Sequence, residues 1–325
     1  MEKPAPPRVR RARPPRQPEG FDARRPFTAE EGRLVGITRK QVRSAAFRTL
    51  TRGVYVAADV EDSPDLIAAA LLAVAPPLAW VSHASAGRIL GLPLPVLPGE
   101  HLSVVDEGER PRRTGLTCHI GDRSARVMRR DDLVYSAPAQ VFVELAEQLA
   151  LVDLVVVGDW LVRKELVTLA RLREFVAASR MKGAAAARAA VAFVRERVDS
   201  PMETRLRMLF VLAGFPEPEV NLTVDAGNGR RRYDLCWPGV KVIAEYDGRH
   251  HVEVVEQWEA DLERREAIDD DGWRIRVFVA KDIYNTPHLT VDRMAHVLRA
   301  AGLPGMPPRL RNDWRAHFPI KDGYL

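Results

Sequence analysis

The chain reads as an α/β (α+β) protein built from several modules, and three features of the sequence say so. Near the C-terminus, three strand-like segments stand between a well-capped helix and a long charged helix, and a fourth follows, giving the order α-β-β-β-α-β. Near the N-terminus, a helical pair whose second member is basic runs into an alternating apolar segment with a glycine turn. Between them lies a mixed α/β succession without an internal repeat. The 325 residues suffice for two or three domains, at roughly 100–200 residues each. Hydrophobic residues make up 46% of the chain, enough for a sizeable core.

The totals narrow the function classes. Lys and Arg number 49 against 44 Asp and Glu, a formal charge of +5. That mild excess permits a nucleic-acid partner without requiring one. Cys118 and Cys236 lie far apart and form no CxxC pair, so neither a disulfide framework nor a thiolate zinc site is expected. This suits a reducing cytoplasm. The positive N-terminus is followed by no apolar run of signal-peptide type. The longest apolar stretch, Leu66–Trp80, is broken by Pro76-Pro77 and is too short to span a bilayer, so no membrane partner is expected.

Residues 1–25 hold seven Arg, one Lys and six Pro with few large apolar side chains. Such a segment buries too little surface to offset its ordering entropy, which predicts a disordered arm, either a solvated tail or a phosphate-contacting one. Residues 26–60 read as a small helical module. Thr28 offers an N-cap, with Glu30 and Glu31 in the first turn where the helix dipole favours them. After a turn at Gly36-Ile37, Thr38 caps a second helix predicted over Arg39–Arg48. Leu50–Val56 then alternates like a strand, with Gly53 at a turn. A basic second helix followed by a β wing outlines a winged helix-turn-helix. Arg39, Lys40, Arg43 and Arg52 are its candidate nucleic-acid contacts. The runs Gly36-Ile37-Thr38-Arg39-Lys40-Gln41 and Arg52-Gly53-Val54-Tyr55 resemble the N-terminal helix-turn-helix of AbiEi-type antitoxins.

Residues 61–198 form the connector. Asp65–Val74, Ser82–Leu90, Pro138–Leu149 and Val152–Leu161 look helical, while Leu102–Val105 and Gly115–Ile120 look like strands. An Ala-rich helix is expected over Met181–Arg197. His83 and Ser85 are chemically capable, but no acid partner or oxyanion motif stands near them in sequence, so structural roles are expected. His101 and His119 lack spaced partners and read as surface or strand histidines.

Residues 199–303 are the most informative. Ser200-Pro201-Met202-Glu203 is an N-cap, an N1 proline and a capping-box acid, opening a helix over Met202–Ala213. Val220–Val224 and Arg232–Cys236 make a hairpin around Ala226-Gly227-Asn228-Gly229. Val240–Tyr246 is an almost continuous apolar run, the mark of a strand buried on both sides. A charged helix over Val255–Asp270 and a strand over Trp273–Val279 follow. Residues 304–325 form a tail of mixed Pro, Arg and Trp.

Carboxylates fall at telling places on this frame. Asp234 lies inside the second strand and Glu245 near the end of the third, where a charge is costly unless it is paired or holds a cation. Two carboxylates converging from neighbouring strands make a hard oxygen site suited to Mg²⁺ or Mn²⁺. Asp247 shares the face of Glu245 by strand parity, and Glu203 offers a further acid. His250 or His251 could handle a proton near neutral pH. Arg249, with Arg264 or Arg265, could hold a phosphate.

The run Arg232-Tyr233-Asp234-Leu235-Cys236-Trp237-Pro238, then Glu245-Tyr246-Asp247-Gly248-Arg249-His250-His251, resembles the DUF559 group. Asp261, Arg264, Gly272, Trp273 and Arg276 match its downstream pattern. That group is similar to the very-short-patch-repair (Vsr) endonucleases of the PD-(D/E)XK superfamily. The resemblance implies a restriction-endonuclease-like core that hydrolyses DNA with a divalent ion on Asp234, Glu245 and Asp247. The superfamily lysine expected two residues after Glu245 is replaced by Asp247, and the resemblance assigns its part to His250 or His251. The same residues also admit a non-catalytic DNA-binding regulator or antitoxin, with a toxin partner or a homodimer.

Overall fold

Local hydrogen bonding starts the first two helices of the computed structural model, which describes residues 20–226, 229–248 and 271–319. Strand β1 (Phe27–Thr28) runs into α1 (Ala29–Leu34) through a capping box. Thr28 Oγ1 accepts from Glu31 N–H at 3.2 Å, and Glu31 Oε2 accepts from Thr28 N–H at 2.7 Å. Thr38 and Gln41 repeat this device at α2 (Arg39–Val42). The helix expected to reach Arg48 therefore starts where predicted but stops at Val42. Ser44 turns its N–H and its hydroxyl back onto the Gln41 carbonyl. Phe47 then enters β2 (Phe47–Thr51), where pairing with Ala57 in β3 (Val54–Ala57) outcompetes continued helix. Gly53, at φ +85°, makes the turn between them. β1 joins β3 to complete a sheet of order β1-β3-β2. Phe27, Val42, Val54 and Val56 are buried there.

The same N-terminal unit, which runs to Leu145, holds a second sheet of order β6-β5-β4-β8-β7. Its strands are β4 (Trp80–Val81), β5 (Glu100–Val104), β6 (Leu116–Ile120), β7 (Val127–Arg130) and β8 (Leu133–Ser136). Pairing is antiparallel for β4–β5 and β7–β8, and parallel for β5–β6 and β4–β8. Three helices accompany it: α3 (Pro64–Ala73), α4 (His83–Ile89) and α5 (Pro138–Leu145). Ser63 caps α3 and Pro64 occupies its first turn. Ser82 takes the N-cap position of α4 but makes no side-chain cap bond, because its hydroxyl is engaged with Ser103 and His83.

The C-terminal unit begins at Ala146. Helices α6 (Leu151–Arg163), α7 (Leu169–Ala178), α8 (Ala184–Val191) and α9 (Pro201–Leu212) precede a third sheet. The Ala-rich helix is shorter than expected: Gly183, at φ +89°, precedes it and Ala192 closes it. Ser200 caps α9, accepting from Glu203 N–H at 3.2 Å. The sheet order is β12-β11-β10-β9, from β9 (Glu219–Ala226), β10 (Gly229–Trp237), β11 (Val242–Tyr246) and β12 (Arg274–Phe278). β9–β10 and β10–β11 are antiparallel, and β11–β12 is parallel. The helix expected over Val255–Asp270 lies outside the described residues, as does most of the expected N-terminal arm. Helices Ala280–Tyr284 and Pro287–Ala300 follow β12. The whole is an α+β architecture. Among the described residues, no helix is long and apolar enough to cross a membrane.

A buried ion pair ties α6 to α9. Arg207, with no exposed side-chain surface, donates to Asp159 Oδ2 at 2.8 Å, and Asp159 also accepts from Thr204 Oγ1 and Arg195 N–H. Arg207 also reaches Glu217 Oε1 at 3.1 Å, so removing Asp159 leaves it partly matched, and the loss falls towards the low end of the about 3–5 kcal/mol typical of a broken buried pair. Asp159→Ala is expected to lower unfolding free energy by that order in urea titrations. Asp159→Leu combined with Arg207→Met should recover much of it, and equal losses in both variants would exclude this account.

Candidate active site

Glu203, one turn into α9, is 7% exposed. Its Oε2 accepts from Asp199 N–H at 3.0 Å and from Asn221 Nδ2 at 2.9 Å. Asn221 also donates to the Arg197 carbonyl at 2.6 Å. It is buried in β9 with φ +49°, a left-handed backbone that Asn tolerates better than most residues. The kink interrupts the ladder: Tyr233 pairs with Leu222 and Leu235 with Val220, leaving Asn221 opposite Asp234.

On the other side of β10, Leu235 pairs with Ala244 and Cys236 with Ile243. One step further in that register brings Asp234 opposite Glu245. Instead of another ladder bond, Tyr246 N–H donates to Asp234 Oδ2 at 2.8 Å. Asp247, just past the end of β11, gives its N–H to the Phe278 carbonyl at 2.8 Å and is half-buried. A polar row, Asn221–Asp234–Glu245, thus crosses three strands, with Glu203 joined to it through Asn221.

The electrostatics of this row are lopsided. Asp234 is pushed up from 3.8 to about 7. Burial is the largest cause and the Glu203 charge the next; the Tyr246 N–H opposes them, and Glu245 and Asp199 add to the rise. The Cys236 thiol is pushed up to about 12 by burial and by the charges of Glu245, Glu219 and Asp234. Repulsion among carboxylates is what a dication relieves. The donors are all oxygen, which fits Mg²⁺ or Mn²⁺. Among the described residues, the His/Cys/Asp/Glu group of three whose ligand atoms lie within 4.8 Å of one another is His83, His101 and His119, not an acidic one. An ion at the acidic row would therefore meet at most two of these carboxylates together, with water filling the rest of its shell.

The structure brings Glu203 and Glu245 close enough for their charges to act on Asp234, while Asp247 follows Glu245 by two residues just past the end of β11. Arg249, His250, His251, Arg264 and Arg265 lie outside the described residues, as does Asp261. Trp273 packs on the cluster of Val224, Tyr233, Cys236 and Ile243. Trp237 is buried and donates Nε1–H to the Pro216 carbonyl at 2.8 Å. In the N-terminal unit, Arg39, Lys40, Arg43 and Arg52 are all exposed, and the Arg52 carbonyl accepts from Arg113.

Sequence reasoning missed Asn221 and the three histidines. A polar residue inside the Val220–Val224 run was the one signal for Asn221. The histidines gave none, since His101 and His119 lie 18 residues apart and match no short ligand spacing. Ser85, expected to lack an acid partner, donates to Glu100 of β5.

No family model matches the chain. It is similar to two proteins of Mycobacterium tuberculosis described as uncharacterized, MT2308 and Rv2248. Each is 29% identical over 209 residues, spanning 63% of this chain and 76% of the relative.

A folded-state value near 7 against 3.8 means that Asp234 holds its proton more tightly in the folded protein. Its stabilising contribution is full below pH about 4 and is lost as pH rises through about 7. Asp234→Asn, whose carbonyl can keep the Tyr246 bond, is expected to melt several degrees above the parent at pH 8 in EDTA. The gap should close towards pH 4. A variant less stable at pH 8, or a gap independent of pH, would contradict the assignment.

Proposed function

We propose that the C-terminal unit is a metal-dependent DNA endonuclease of the PD-(D/E)XK, Vsr-like type. Asp234 facing Glu245 across β10 and β11, with its carboxyl raised to about 7 among other acids, is the observation that carries this. Asp234 and Glu245 would hold Mg²⁺ or Mn²⁺, with Asp247 beside them. A bound ion would polarise a phosphoryl oxygen and acidify a water, the two needs of phosphodiester hydrolysis.

The protein's own residues supply orientation. Tyr246 N–H holds one oxygen of Asp234, so the carboxylate keeps a fixed aspect towards Glu245. Glu203, anchored by Asp199 and Asn221, adds negative charge without a free rotamer. Such preorganisation spares the reorganisation that a loose carboxylate would undergo on each turnover. By the resemblance, His250 or His251 would move the proton; Arg249, with Arg264 or Arg265, would hold the phosphate.

Purified protein is expected to cut plasmid or oligonucleotide DNA with Mg²⁺ or Mn²⁺ and to stop in EDTA. Asp234→Ala and Glu245→Ala should both fall to the EDTA background while binding DNA. Failure to cut duplex, mismatched and single-stranded DNA alike, with binding intact, would leave the second reading.

That second reading, a DNA-binding regulator of antitoxin type, is favoured by one observation. Arg39, Lys40, Arg43 and Arg52 are exposed on α2, its cap and the β2–β3 turn. A cation seated on a phosphate releases counterions, so removing each such cation should flatten the slope of log affinity against log salt by about 0.9. The triple variant Arg39→Ala, Lys40→Ala, Arg43→Ala is expected to weaken DNA binding evenly across sequences in this way. An unchanged salt slope would remove these residues from the interface.

A further inference from the structure

Three histidines from three elements meet in the N-terminal unit. His83 opens α4, His101 lies in β5 and His119 in β6. Ser103 pairs with His119 and His101 with Thr117, so by strand parity both histidines stand on one face of the parallel β5–β6 pair. α4 packs on β5 and brings His83 to that face. The His83 and His119 rings stack with centroids 3.5 Å apart, and His101 lies 5.3 Å from His119. His101 Nδ1 is 2.9 Å from His119 Nε2. One ligand nitrogen from each ring falls within 4.8 Å of the others.

We propose that His83, His101 and His119 form a binding site for a borderline divalent transition-metal ion, with Zn²⁺ the expected occupant.

Zn–N bonds of about 2.0–2.1 Å place ligand nitrogens about 3.3 Å apart at tetrahedral angles. The 2.9 Å between His101 and His119 lies below that value and the third nitrogen lies within 4.8 Å, so an ion would enter as the near-parallel rings turn their nitrogens towards it. Imidazole is the ligand that Zn²⁺ and its neighbours in the first transition row share, whereas Mg²⁺ prefers oxygen. Metal binding also needs neutral rings. Burial and the Arg88 charge lower His101 from its ordinary value, against the opposing pull of Glu100 and of a backbone hydrogen bond at Pro98.

The surroundings are those of an oriented metal site. His83 Nδ1 lies 3.0 Å from Ser82 Oγ and 3.9 Å from Glu144 Oε2. Glu144 is 3% exposed and is itself fixed: Oε2 accepts from His83 N–H, and Oε1 accepts from Ser136 and Gln140, each at 2.8 Å. Ser82 is steadied by the Ser103 hydroxyl at 2.8 Å. His101 N–H donates to Ser85 Oγ at 2.8 Å. The group within hydrogen-bond reach of the His83 ring is therefore Ser82 Oγ, which orients Nδ1, while Glu144 adds a negative charge further behind. His83 pays for its inward aim with a φ of +51°, a conformation costly for a non-glycine residue. His83 and His101 are buried while His119 is half-buried, which leaves the His119 side as the entry and the place for a fourth, exchangeable ligand.

The test uses tag-free full-length protein, stripped with EDTA, dialysed and titrated with Zn²⁺ alone by calorimetry. One saturable ion per chain is expected at this site, retained when Asp234 and Glu245 are both changed to Ala. His119→Gln, at the half-buried ring, should weaken it about 100-fold while the apo protein keeps its circular dichroism. Co²⁺ replacing Zn²⁺ should give the intense visible absorption of a low-symmetry, nitrogen-ligated ion, a readout on the unaltered chain that needs no variant. Absence of a saturable phase, a phase lost with the carboxylates but kept in His119→Gln, or a weak octahedral Co²⁺ spectrum would each overturn the proposal.

Discussion

The antiparallel register of β10 against β11 is the constraint on which the acidic row depends. Leu235 opposite Ala244 and Trp237 opposite Val242 are buried pairs, and their packing fixes which face every neighbour takes. A slip of one residue would exchange the faces, carrying Asp234 to the other side of the sheet from Glu245. Apolar burial therefore positions the acids, although the acids gain nothing from it themselves. Asn221 acts at the opposite edge, where its left-handed backbone breaks the β9–β10 ladder beside Asp234. A kink of this kind re-aims side chains and is a frequent companion of functional sites.

Charge is handled differently at different places in the same unit. Asp159 meets Arg207, Thr204 and the Arg195 N–H, and Asp199 meets Arg163 and Arg232. Both acids are matched by cations. Asp234 instead has Glu203, Glu245 and Asp199 among its strongest influences, and the Tyr246 N–H alone among the named causes lowers it. A fold that can pair its buried acids elsewhere leaves this one among like charges. A carboxyl perturbed in this way is a candidate functional group, which is the role proposed for Asp234.

Much of this was legible because it rests on local chemistry. The caps at Thr28, Thr38 and Ser200, the hairpin closed around residues 226–229 and the apolar run of β11 are each encoded within a few residues. Where tertiary pairing decided the outcome, local reading overshot. Helix α2 ends at Val42 because Phe47 has a strand partner in Ala57, a contact that helical periodicity cannot foresee. The two-residue β4 is similar, since it exists only through its neighbours β5 and β8. That Asp234 and Glu245 stand on neighbouring strands was readable from the sequence, but their shared face depends on the β10–β11 register, and the kink at Asn221 depends on packing that no short window contains. The histidine trio was least visible, because its members come from a helix and two strands linked only through the sheet.

The two proposed metal sites would differ in the ions they select, and that difference follows from donor chemistry. Carboxylates with a fixed aspect favour small hard ions that keep much of their water. Imidazoles favour borderline ions that accept nitrogen, and for any such site affinity rises towards the end of the first transition row. On the proposed assignments the imidazoles would turn Mg²⁺ away, whereas the carboxylates would still accept Zn²⁺ where it is plentiful, so the two sets separate their ions best when neither contains the other's donors. That condition is met among the described residues: the acidic row is built from Asp and Glu, and the imidazole cluster keeps its carboxylate, Glu144, behind the ring of His83. Glu144 lies 3.9 Å from Nδ1 of that ring and is engaged on both oxygens, so it serves orientation more readily than coordination. If both proposals hold, segregating donors in this way would let a hard and a borderline metal site coexist on one polypeptide.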